Sequence, residues 1–135
     1  MPVVSITRLR LRSWRFFPGF LWYAIRSNMQ ARRAQGNRGV KVLRERANIF
    51  WTATVWDSES HVKRFMISGA HGRVMPKLLN WCDEASLVHW MQELDSLPSW
   101  QDAHRRMMAE GRLSKVRHPS AAHERFAFPA PRSGR

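Results

Sequence analysis

Cysteine is nearly absent from this chain: Cys82 stands alone among 135 residues. One thiol excludes an intramolecular disulfide and zinc-ribbon chemistry. Following Trp81, it reads as a small buried hydrophobe rather than a nucleophile. Metal-ligand spacing is missing too: His61, His71, His89, His104, His118 and His123 form neither HxH nor HxxxH, which argues against a bound metal. No GxSxG marks a serine nucleophile, and Gly36, Gly39 and Gly69 build no phosphate loop. The chain also lacks a membrane span. The nearest imitation, FFPGFLWYAI after RLRLRSWR, has ten residues and is interrupted by Pro18 and Gly19. That is half the length a span needs, and no small-residue cleavage site follows it. The expectation is one folded domain in a reducing, cytoplasmic setting.

Acids are scarce as well, with ten Asp and Glu against 23 Lys and Arg, a formal charge of +13. The imbalance sits at the ends. Residues 1–46 hold eleven bases and one acid, residues 47–111 six bases and eight acids, and residues 112–135 six bases and one acid. Such a field attracts nucleic acid, acidic headgroups or an anionic small molecule, or it serves solubility alone.

Apolar residues are plentiful, at 44% of the chain, enough for a core at this length. Residues 3–12 are β-branched and then alternate Leu with Arg, which predicts a strand with Arg8, Arg10 and Arg12 on a wet face. From Phe17 the spacing turns helical, with Phe17, Phe20, Leu21, Ala24, Ile25 and Met29 on one stripe. Glycines in residues 35–39 stop that helix. Residues 40–46 and 49–56 predict a hairpin, and IFWTATVW is apolar enough on both faces to be central. Asp57 or Ser58 caps a second helix whose stripe is Val62, Phe65, Met66 and Ala70. Pro76 is expected to break it, leaving a short piece over 77–81. Residues 85–92 read as a fourth strand. A last helix, capped at Ser96 or Ser99, stops at Gly111. The domain then covers 1–118, and 119–135 is a basic tail, flexible or docked on a partner.

The order is β-α-β-β-α-β plus a C-terminal helix and tail: an α+β, ferredoxin-like arrangement with helices on one face. A second copy is expected to cover the other face, giving a homodimer. Residues FWTATVWDSESHVKRFMISGAHGRVM, LVHW and PSWQDAHRRMMAEG carry a resemblance to an uncharacterised bacterial family. That family lies in the dimeric α/β-barrel superfamily, which includes antibiotic-biosynthesis-type monooxygenases. The strand–Trp–acid–helix–Phe–x–His pattern is also similar to spheroidene monooxygenase. The resemblance implies a dimeric α/β barrel and oxygenation as the reaction class, either cofactor-free or with haem. Fold likeness alone does not assign an activity.

His71 is the candidate catalytic residue and, by the resemblance, the candidate haem ligand. On an unbroken helix it would lie about 180° from Val62, away from the core stripe. It reaches a pocket only if the helix breaks near Gly69; otherwise it satisfies free carbonyls at a helix end. Phe50, Trp51, Thr52, Thr54, Phe65, His89 and Trp90 are the candidate pocket residues. Trp51 and Thr52 point to opposite faces of one strand, as do His89 and Trp90, so only some of them share a cavity. The expected occupant is an apolar ligand with anionic groups, held by arginines of the first or second strand. Two alternatives remain: a non-enzymatic ligand-binding or structural homodimer, and a nucleic-acid-binding module. The second lacks the aromatic strand that stacks bases.

Overall fold

The computed structural model describes residues 1–131. In chain order it contains β1 (Val3–Leu11), α1 (Phe17–Arg33), β2 (Asn37–Arg46), β3 (Ile49–Trp56), α2 (Glu59–Met66), α3 (Gly69–Trp81), β4 (Cys82–Met91), α4 (Trp100–Glu110), β5 (Arg112–Leu113) and α5 (Ala121–Arg125). The strands form one sheet in the order β2-β3-β1-β4-β5, and every pairing is antiparallel. This is the expected ferredoxin-like arrangement, extended by a short fifth strand. β3 is buried along nearly its whole length, as its two-sided apolar composition requires. Serines start the helices as their capping role predicts: the Ser58 hydroxyl accepts from the backbone of His61 and that of Ser99 from Asp102.

The two sheet faces are covered differently. One carries α1, α2 and α3. The other is filled by the main core, where Val4, Ile6, Trp51, Ala53, Val55, Val88 and Trp90 meet Trp100, Ala103 and Met107 of α4. Those three α4 residues fall at i, i+3 and i+7, one face of a helix.

Four features depart from expectation. The second helix breaks at Ile67–Ser68, and Pro76 sits inside α3. Gly69 takes a φ of +58° there, a turn that glycine makes without a Cβ penalty. On α1, Phe20 and Ala31 are buried, but Leu21, Ile25 and Met29 stay exposed, because they lie about 100–180° around the helix from Phe20. Arg8, assigned to a wet face, is buried and pairs with Glu84 at 2.6 Å. Finally, the chain itself covers the sheet face expected to need a second copy. Its tail, expected to be flexible or partner-docked, folds back: Ser120 caps α5, and Phe126 and Phe128 pack on the α4 core. The remainder of that tail, 132–135, lies outside the described residues.

Candidate functional site

Between the sheet and α1–α3 lies a cavity of about 660 Å³, within the range of small-molecule sites. Its floor is built by strand register. His89, Ser5, Thr54 and Val40 stand side by side across β4, β1, β3 and β2. Leu87, Thr7, Thr52 and Val42 form the next rung, and Ala85, Leu9, Phe50 and Arg44 the third. All twelve line the cavity, because residues two apart on a strand share a face. The floor therefore runs from hydroxyls and an imidazole at one end to an aromatic ring and a guanidinium at the other. Thr7 and Thr52 make no side-chain hydrogen bond to described residues, so their hydroxyls are free for a guest. Thr54 already accepts from the Trp56 indole at 2.8 Å.

The roof is apolar. Phe20 and Ala24 come from α1, Val62 and Phe65 from α2, and Val74 and Leu78 from α3. Met29, Met66 and Met75 add flexible thioethers, which suit an irregular guest.

His71 reaches this space because the helix is broken. The side chain of Gln30 bridges the break: its amide nitrogen donates to the Ser68 carbonyl at 2.7 Å, and its oxygen accepts the His71 backbone N–H at 3.0 Å. One amide thus satisfies groups at the end of α2 and the start of α3. The His71 ring stands 4.6 Å from the Phe65 ring, and its Nδ1 lies 3.0 Å from the Met66 carbonyl. A carbonyl only accepts, so Nδ1 carries the proton and Nε2 keeps its lone pair. Burial holds the imidazole below its ordinary pKa, and the Met66 carbonyl offsets this only in part. Nδ1 satisfies a carbonyl at the end of α2, and the ring lines the cavity with a basic nitrogen unused.

His89 is also held below its ordinary pKa, chiefly by burial and then by Arg112 and Lys63, with Glu59 opposing. Two cations complete the lining, Arg44 and Lys115. The Arg44 guanidinium lies 4.8 Å over Phe17 and 5.7 Å over Phe50, and it donates to the Ala47 carbonyl at 2.8 Å. No carboxylate lines the cavity among the described residues.

Of the candidate residues, Phe50, Thr52, Thr54, Phe65, His71 and His89 share this cavity. Trp51 and Trp90 do not, and their assignment is corrected. Strand alternation turns both to the opposite face, into the α4 core. There the Trp51 indole donates to Glu45 at 2.8 Å and the Trp90 indole to Gln92 at 3.0 Å. Cys82 is fully buried, with its thiol pushed up to about 12 by desolvation and then by Asp83. It is no nucleophile. Gln30 and Lys115 are absent from the sequence-based candidates, and Arg44 enters only as one of the arginines of the first or second strand. Arg44 had a signal, since it continues the Val40–Val42 alternation. Lys115 had none, because it is placed by the two-residue strand β5 before it.

Comparison with curated proteins finds no sequence relative. Solved structures share the fold. Rv0793 from Mycobacterium tuberculosis superposes with a TM-score of 0.61 at 14% identity, over 71% of this chain and 98% of that one. A candidate antibiotic biosynthesis monooxygenase from Nitrosomonas europaea gives 0.60 at 12%, over 70% and 93%. A mutant of SnoaB, a cofactor-independent oxygenase from Streptomyces nogalater, gives 0.56 at 17%, over 73% and 98%. The chain thus has the antibiotic-biosynthesis-monooxygenase-like fold. By sequence, over residues 13–133, it belongs to the family described as Domain of unknown function (DUF3291).

Proposed function

We propose that this protein binds an elongated apolar molecule bearing an anionic group in the cavity under α1–α3, and oxidises it with molecular oxygen. The composition of the lining carries the reading: apolar walls, free hydroxyls, two imidazoles with lowered pKa and two cations, with no carboxylate among the described residues. A polyene acid or a polycyclic phenol has that chemistry. His71 Nε2 is the base. It takes a proton from an activated methylene or phenol, and the resulting anion supplies electrons to oxygen. The net change at an activated methylene is CH2 + O2 → C=O + H2O. Burial holds the His71 pKa below its ordinary value, which favours the neutral ring, the form that accepts a proton. Arg44 or Lys115 holds the anionic group.

Haem is the second candidate occupant. His71 Nε2 has the lone pair an iron ligand needs, its Nδ1 is oriented by the Met66 carbonyl as ligating histidines usually are, and Arg44 and Lys115 suit the propionates. Bound haem would supply oxygen activation.

A homodimer also belongs to this reading. With α4 and the tail filling one sheet face, a second copy has to add on another surface.

Three measurements test the proposal. cis-Parinaric acid should bind with a fluorescence gain that Thr52→Trp, which fills the cavity floor, abolishes; unchanged binding in that variant would sink the cavity. Oxygen uptake with a hydroxyanthrone should fall at least 100-fold in His71→Ala. Uptake equal in both proteins removes His71 as the base, and binding without uptake leaves a ligand carrier. Haemin titration should give a Soret shift lost in His71→Ala if iron is ligated there, and identical spectra exclude that occupant.

A further inference from the structure

The outer face of α1 is the least explained surface of the molecule. At 100° per residue, Leu21, Trp22, Ile25 and Met29 project within about 100° of one another, away from the inward-packed Phe20 and Ala31. They are between 42% and 60% exposed, and Val42 on the neighbouring edge strand β2 is 50% exposed. Leu21, Ile25, Met29 and Val42 also line the cavity, so they form the rim of its mouth. Exposed apolar patches of this kind mark interaction surfaces.

The charges on the same face select the partner. Arg26, Arg32 and Arg33 are exposed among these apolar side chains, and α1 contains no acidic residue. The Arg26 guanidinium lies 5.1 Å over the Trp22 ring. A second copy packed here about a two-fold axis would set arginine against arginine. An anionic bilayer surface fits both halves of the pattern. A helix lying in the interface buries Trp, Leu and Ile at the headgroup boundary and pairs its basic residues with anionic lipid.

We propose that the protein docks peripherally on anionic membranes through the outer face of α1 and the rim of β2, with the cavity mouth turned toward the lipid. The docking does not depend on which ligand the cavity takes or on any reaction there.

The test uses the full chain with large unilamellar vesicles in about 0.1 M salt. Vesicles of phosphatidylcholine with a quarter phosphatidylglycerol should sediment the protein, and pure phosphatidylcholine should not. Trp22→Ser with Ile25→Ser leaves the charge unchanged and alters only exposed positions. It should weaken vesicle binding at least tenfold while the melting temperature holds. Arg26→Gln with Arg33→Gln should weaken it similarly. Absence of binding would overturn the proposal. So would binding unaffected by Trp22→Ser with Ile25→Ser, which would be general adsorption of a basic protein. A dimer by light scattering that this variant dissociates would make the face an interface between copies. Duplex DNA binding that the variant weakens as much as vesicle binding would assign the face to nucleic acid.

Discussion

Arg8 and Phe128, near opposite ends of the sequence, are stacked: the guanidinium carbon lies 4.0 Å from the ring centroid. His104 fixes the same segment, with Nε2 2.8 Å from the Phe128 carbonyl, and the Trp51 and Phe128 rings meet edge to face at 5.9 Å. The C-terminal segment is therefore part of the core. Phe128→Ala should cost about 2 kcal/mol, less than a fully buried phenylalanine because the ring is only partly covered. Removing residues 120–135 should cost more, since it also strips Ser120 from Glu84. Urea unfolding measures both, and a truncated protein with the full chain's midpoint would show that the tail contributes nothing.

Glu84 accepts from Arg8 at 2.6 Å, from Arg10 at 2.8 Å and from Ser120 at 2.9 Å. Desolvation opposes its charge, but these hydrogen bonds together hold its pKa below the ordinary value. Glu84→Ala leaves Arg8 buried without its ionic partner and should cost about 3–5 kcal/mol. Arg8→Met with Glu84→Leu should recover most of that loss, because an apolar pair carries no desolvation penalty. A double variant as unstable as the single one would mean that the pair itself is a net stabiliser.

The order of elements along the chain, the hairpin and the burial of β3 on both faces were legible because strand alternation and β-branching act locally. The three threonine and aromatic positions of β3 that face the cavity followed from that alternation. Which face held the cavity did not, because both faces of IFWTATVW are apolar. Trp51 and Trp90 were misplaced for this reason. A helix break beside Gly69 brings His71 to the cavity, but in the sequence Pro76 is the stronger stop signal. Deciding between them needs Gln30, which lies far away in sequence. Arg8 looked solvated because an Arg–Leu alternation near a strand end normally is, and nothing local names Glu84 as its partner.

The break itself is testable. A Cβ on Gly69 would meet Gln30 Cδ at 2.9 Å, and its φ is +58°. Gly69→Ala should cost about 1–2 kcal/mol in backbone strain alone. It should also displace Gln30 from Ser68 and His71. The same displacement without strain should follow Gln30→Ala. Both variants should shift the His71 titration in proton NMR, since both loosen the turn that presents its ring. A His71 titration unmoved by either change would show that Gln30 does not position it.

The cavity histidines set the response to pH. His71 and His89 both have folded pKa values below the unfolded value of about 6.5. The unfolded chain therefore binds more protons as pH falls, and stability rises with pH across this window. Their contribution should be complete above about pH 6.5 and lost as pH falls through the lowered folded values. Arg44 and Lys115 face the same space, and no carboxylate lines it among the described residues; for His89, Glu59 favours the charged ring against Arg112 and Lys63. Urea midpoints between pH 7.5 and pH 5 should fall, and His71→Gln with His89→Gln should flatten the slope. A cavity-bound anion should raise both pKa values by favouring the charged rings, which makes parinaric acid binding tighter at pH 6 than at pH 7.5. Histidine titration by NMR checks the premise: a His71 pKa at or above 6.5 in the free protein would remove it as a buried neutral base.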